Sequence, residues 1–200
     1  MFKLFKSDRL AKAFKAIDAD DLAKLQKHLQ KLEPEEINQP VSDDTVPLAE
    51  VCILKKAPKA LKLVLNFGAN PDQTSHTDKT LTLSELSLRQ EKSLPLLTAL
   101  YTAGAKTDPT PLMQQCFDHC SEQELMLHLS VLLQYGGELD DELVHKALAS
   151  DQLPLIHFII NSGACCPDDI DQHNYSEEIL NYAKKCWDDQ RIRAMFLSDR

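Results

Sequence analysis

A chain of 200 residues, 43% hydrophobic and 26% charged, has enough apolar material for a continuous core, yet no apolar run approaches the roughly 20 residues that a membrane-spanning helix needs. The net charge of −9 and the 6% aromatic content argue against a nucleic-acid ligand, because an acidic surface repels phosphate. The start, MFKLFKSDRL, lacks the apolar stretch of a secretory signal, and six unevenly spaced cysteines (Cys52, Cys116, Cys120, Cys165, Cys166 and Cys186) suit packed, reduced thiols, so a cytoplasmic protein is expected.

The elements read as helix after helix, with strand patterns nearly absent. Ser7 is placed to cap a first helix ending near Ile17, and Asp20-Asp21 opens a second whose leucines at 22, 25, 29 and 32 recur at helical spacing. VPLAEVCIL and Pro58 to Phe67 form the next pair, followed by LTLSELSLR with about Leu94 to Ala103. Thr110 is expected to cap a helix with Pro111 at its first position, and Ser121 with Glu124 to form a capping box for a helix ending at Tyr135. DELVHKALAS then joins Pro154 to Asn161, and a last helix follows Ser176.

The glycines repeat one local setting. Gly68, Gly104, Gly136 and Gly163 each follow an apolar helix-like run, and Pro58, Pro95 and Pro154 precede three of them by nine or ten positions. Proline at the start and left-handed glycine past the end describe one short helix written repeatedly. Such a helix pair cannot bury its own apolar stripe. Leu61, Val64 and Leu65 must therefore meet neighbours such as Leu97 and Leu100, and the stack is expected to run on to Ile156, Ile159 and Ile160. Its ends need covers, assigned to the first pair with Lys24, Lys27 and Lys31 outward, and to the last helix with Trp187, Met195 and Phe196.

The segment from Glu142 to Ala147, followed after fifteen residues by Gly163-Ala164, resembles the ankyrin repeat, whose pattern is T-P-L-H-x-A, a leucine-rich helix and G-A-D. Thr110-Pro111-Leu112 repeats the start of that pattern, Thr45-Val46-Pro47-Leu48 does so with one inserted residue, and Asp20 falls in a glycine place. The likeness covers about residues 10 to 165, but successive glycines lie 36, 32 and 27 positions apart against an ankyrin period of 33. The resemblance implies an all-α, ankyrin-like α-solenoid of antiparallel helix pairs, four to five units long, with irregular fingers; another helix-pair solenoid is the competing architecture. A single domain over 1–200 is expected, with a capping pair at 1–40, repeats at 41–165 and a capping helix at 166–200.

For function, the resemblance implies a monomeric, non-catalytic module that binds a protein partner on a concave face, as an adaptor or a stoichiometric inhibitor. In the family, finger tips and first helices make such surfaces, which points to Asp72, Gln73, Thr74, His76, Asp78 and Lys79 in one loop and Lys106 and Asp108 in the next. The first fifteen residues carry +4 and the other 185 carry −13, so a basic partner is expected, against the plainer reading of an acidic surface that only keeps the chain soluble. Phe2, Leu4 and Phe5 belong to a basic amphipathic stretch with three readings: a cap or a simply frayed end, a partner contact or, least favoured, a membrane contact. No catalytic constellation, cofactor or metal is assigned. The alternative function is a metal- or redox-responsive protein using the loop of Cys165, Cys166 and His173. A metal site can be drawn from Cys116 and Cys120 with His119 between them and His128 on the next helix, but the two cysteines are read as packed thiols, and His145 as a hydrogen-bonding tie between turns.

Overall fold

The computed structural model describes residues 2–40 and 46–198, with side chains described at 9–40 and 46–196. Thr45 and the side chains of Phe2, Leu4, Phe5 and Ser7 lie outside the described residues. Among the described residues the structure is helical throughout: α1 (Phe2–Asp18), α2 (Leu22–Leu29), α3 (Pro34–Ile37), α4 (Leu48–Leu54), α5 (Pro58–Asn66), α6 (Leu83–Leu88), α7 (Ser93–Thr102), α8 (Pro109–His119), α9 (Glu122–Gln134), α10 (Asp141–Ala149), α11 (Leu153–Asn161) and α12 (Glu177–Ser198). The only β pairing there is an isolated antiparallel bridge between Thr74 and Thr82. The chain packs as two compact units, Met1–Thr107 and Asp108–Arg200, the division falling inside the 41–165 span expected for the repeats.

In the first unit, α1 packs on α2, α4 on α5 and α6 on α7. The first helices of these pairs also touch in sequence order, α1 to α4 to α6, and so do the second helices, α2 to α5 to α7. The reason lies in their stripes: Ala60, Leu61, Val64 and Leu65 of α5 are buried, as are Leu96, Leu97 and Leu100 of α7. Each large side chain so enclosed contributes about 1.5–3 kcal/mol. In the second unit α8 pairs with α9 and touches α10, α10 pairs with α11, and α12 lies on α11 through its buried Ile179, Ala183 and Cys186. Ile156, Ile159 and Ile160 are core residues of this unit.

Glycine ends the second helix of each of these later pairs as expected. Gly68, Gly104, Gly136 and Gly163 all have positive φ, from +90° to +114°. Beyond each, the next amide turns back on the helix: Ala69 N donates to the Val64 carbonyl (3.2 Å), Ala105 to Leu100 (3.1 Å), Gly137 to Leu132 (3.0 Å) and Ala164 to Ile159 (3.4 Å). First helices end differently. Asp20, Lys56 and Asp151 take φ of +51°, +53° and +55° without being glycine.

Four local expectations need correction. Helix α1 already runs from Phe2, so Ser7 is internal to it. The cap of α8 is Asp108, whose carboxylate accepts from Thr110 N, because the helix starts at Pro109. The Ser121 hydroxyl donates to the Glu124 carboxylate (3.2 Å) and makes no bond to the backbone of α9. In α12, Trp187 donates to the Ala164 carbonyl (2.9 Å), but Met195 and Phe196 are 60% and 75% exposed rather than buried as a cover.

Candidate functional site

The loop from Gly68 to Thr82 is the one well-formed finger among the described residues. Asn70 Oδ1 accepts from Asp72 N (3.0 Å), turning the chain after Pro71. Ser75 N donates to the Leu81 carbonyl (2.9 Å) and Leu83 N to Gln73 (3.3 Å), which closes a short hairpin with Asp78 and Lys79 at its tip. Its anchor is a residue that the helical pattern does not single out. Glu50, on α4 and 1% exposed, accepts from Ser75 Oγ (2.7 Å), His76 N (2.7 Å), Thr77 N (2.9 Å) and Thr77 Oγ1 (2.7 Å). Burial by itself would raise this carboxyl, but the four donors outweigh it and hold Glu50 below the ordinary glutamate value.

Loops are also tied to one another within each unit. Asn38 donates to the Gly68 carbonyl (2.9 Å) and accepts from Asn70 N (2.7 Å), while Asp72 Oδ1 accepts from Lys106 N (2.6 Å) and Thr107 N (3.2 Å). In the second unit Thr110 Oγ1 accepts from Glu138 N (3.0 Å), and Gln114 Nε2 donates to Asp140 (2.8 Å). Each rung runs from a side chain to a loop roughly one helix pair further on.

This network sorts the expected partner residues. Asp72 and Gln73 belong to the frame, Gln73 through a bond from Nε2 to the Asn38 carbonyl (3.2 Å), and Asp108 is a helix cap. Asp78 accepts from Thr80 Oγ1 (2.5 Å) and Thr80 N (3.0 Å), and these bonds, the hydroxyl's first, lower its carboxyl. Thr74, His76 and Lys79 stand exposed on the finger, and Lys106 is exposed where its amide meets Asp72. The loops before α8 and α10 are too short for a finger, as the spacing implied for the second of them.

Charge divides with the packing. Met1–Thr107 holds 16 Lys and Arg against 14 Asp and Glu, a net +2, whereas Asp108–Arg200 holds 6 against 17, a net −11. The acidic excess is therefore not on the finger but in the second unit. Glu138, Asp141 and Glu142 are exposed at the start of α10, and Asp168 and Asp171 are exposed in the loop before α12.

Among the described residues, two clusters of nucleophilic or ligating groups involve the side chains singled out from sequence, besides a Cys186–His157 pair (3.8 Å). Cys116 and Cys120, a helical turn apart at the end of α8, interact with each other, and Cys120 also meets the buried His128 of α9. The Cys116 hydrogen bond, followed by the His128 imidazole, lowers the Cys120 thiol, while the same bond and burial raise Cys116. His119 points out to solvent. The second cluster centres on Asp169, at the start of a 3-10 turn over Ile170–Gln172. His145 of α10 places Nε2 3.0 Å from Asp169 Oδ1 and Nδ1 2.7 Å from the Tyr175 hydroxyl; His173 places Nε2 3.4 Å from Asp169 Oδ2. Burial works against the Asp169 carboxylate, but the two histidines outweigh it and hold it below the ordinary aspartate value. His145 thus ties α10 to the next loop, as its place in the pattern implied. Cys165 and Cys166 are exposed in the same loop, and Cys166 is raised, first by burial and then by the carboxylates around it. The sequence places Asp169 and His173 in one loop of thiols, carboxylates and an imidazole, but His145 was not joined to them because 24 residues separate helix from loop. Among the described residues, no helix is long and apolar enough to cross a membrane. Comparison of the chain with protein-family models, with curated proteins and with solved structures finds no match.

Proposed function

We propose that this protein is a non-catalytic interaction module, an ankyrin-like stack of helix pairs that acts as a cytoplasmic monomer and takes a basic protein partner on the acidic loops of its second unit. The observation that carries this reading is the division of charge, +2 against −11, on a frame whose loops are pinned by side-chain-to-backbone bonds. Pinned loops lose little entropy on binding, and concentrated carboxylates steer a cationic surface and set its orientation. The order of helix contacts supports the stack: in the first unit, first helices meet first helices and second helices meet second helices. Thr74, His76, Lys79 and Lys106 are a separate candidate contact in the first unit.

The test is capture on the immobilised full chain at low and at moderate ionic strength, with wild type beside a Glu138→Gln/Asp141→Asn/Glu142→Gln variant. Basic proteins retained by wild type, released near the salt at which the screening length falls to about 8 Å, and retained poorly by the variant are the expected outcome. Partners held equally by both proteins and indifferent to salt would refute the acidic surface.

A further inference from the structure

The geometry points to a divalent transition-metal site in the second unit, with Zn2+ as the fitting ion, formed by His145 Nε2, His173 Nε2 and the Asp169 carboxylate. It is independent of the partner reading. It gives the alternative metal-responsive reading a different donor set, in which His173 stays and Cys165 and Cys166 have no part.

Three features carry the assignment. The first is convergence: one ligand atom from each residue lies within 4.8 Å of the other two, and the imidazole-to-carboxylate separations are 3.0 and 3.4 Å. Zinc bonds of about 2.0–2.1 Å in a tetrahedron place neighbouring ligand atoms about 3.4 Å apart, so both imidazole-to-carboxylate separations already stand within a few tenths of an ångström of that spacing. The second is preorganisation. The Tyr175 hydroxyl holds His145 by Nδ1, leaving Nε2 aimed at the site, and the rings of His145 and His173 lie 4.1 Å apart at 33°, so both imidazoles face the same carboxylate. A partner on the second ring nitrogen is the usual outer-shell support of a ligating histidine. The third is access and field. His145 is only 17% exposed, whereas His173 and Asp169 are 43% and 48% exposed, which leaves one side open for entry and for a water as fourth ligand. Two imidazoles with one carboxylate prefer zinc to the hard cations calcium and magnesium, and the unit's net −11 draws cations toward it.

Bound there, the ion joins α10 to the loop leading into α12 and replaces two hydrogen bonds with coordinate bonds. Its effect is to stiffen that loop.

The full-length protein is titrated with Zn2+ against a chromophoric chelator, in a background carrying Cys120→Ser, Cys165→Ser and Cys166→Ser so that thiol binding is removed. One equivalent per chain bound at micromolar or tighter affinity is expected. His173→Asn and Asp169→Asn should each weaken it by about 100-fold and Tyr175→Phe by about tenfold, all three keeping wild-type circular dichroism. Shifts of the His145 and His173 ring nitrogens on zinc addition distinguish ligation from general stabilisation. Binding only in the thiol-containing protein, retention of full affinity in His173→Asn, or less than one equivalent would each overturn the site.

Discussion

Glu50 shows how one side chain can set the conformation of a distant segment. A buried carboxylate with four donors is satisfied, whereas removing it strands the amides of His76 and Thr77. Glu50→Ala should destabilise the first unit by about 3 kcal/mol in urea denaturation, and Glu50→Gln by less, because the amide oxygen still accepts. The pH dependence has a definite sign. A carboxyl whose folded value lies below its unfolded value contributes stability that is complete above about pH 4.5 and is lost as pH falls toward the folded value. Wild type should therefore lose stability below about pH 4.5 more steeply than Glu50→Gln; parallel curves would show that the carboxylate is not the anchor. Nothing in the sequence around Glu50 announces this role, since its partners lie 25 to 27 positions away and all four of its bonds come from a loop backbone or from common hydroxyls. His145 was legible because a familiar pattern names that position.

At the level of the helix, two kinds of end coexist. Where glycine supplies the left-handed residue the chain announces it, and the second helices were legible for that reason. Where Lys56 or Asp151 does so, no residue type marks the place, and the backbone strain is borne by tertiary packing. Asp20 was legible only through its position in the repeat. These ends respond oppositely to mutation. A Cβ at Gly104 meets nothing within 4 Å, so Gly104→Ala costs only the left-handed penalty, about 1 kcal/mol, while at Gly68 it also meets Pro34 Cβ at 2.9 Å and Gly68→Ala costs more. Asp151→Gly relieves strain and should stabilise by up to about 1 kcal/mol. Urea midpoints of the three variants check the order; a Gly68→Ala no worse than Gly104→Ala would mean that α3 yields to the added methyl group. Caps were less legible than ends, because Asp108 and Thr110 are both good capping residues two positions apart and only packing decides between them.

Taken whole, the chain carries its charge in two very different halves, and the second, with 17 acidic against 6 basic residues, repels itself. Trp187, the single tryptophan, sits on α12 and reports on that half alone. Raising ionic strength from about 0.01 to 0.15 M should shift the urea midpoint seen by tryptophan fluorescence upward by more than the midpoint seen by far-ultraviolet circular dichroism, which averages both units. Equal shifts would refute a self-repelling second unit. The sign asymmetry between the first fifteen residues and the rest could be read from the sequence, whereas the division at residue 107 could not, because no linker composition marks it. The rungs contributed by Asn38, Asp72 and Thr110 end on main-chain groups, which every residue type supplies. Exposed side chains borne by those same amides, Lys106 and Glu138 among them, are thus released from structural duty. Substitutions there can recast the exposed surface while the architecture beneath is inherited intact.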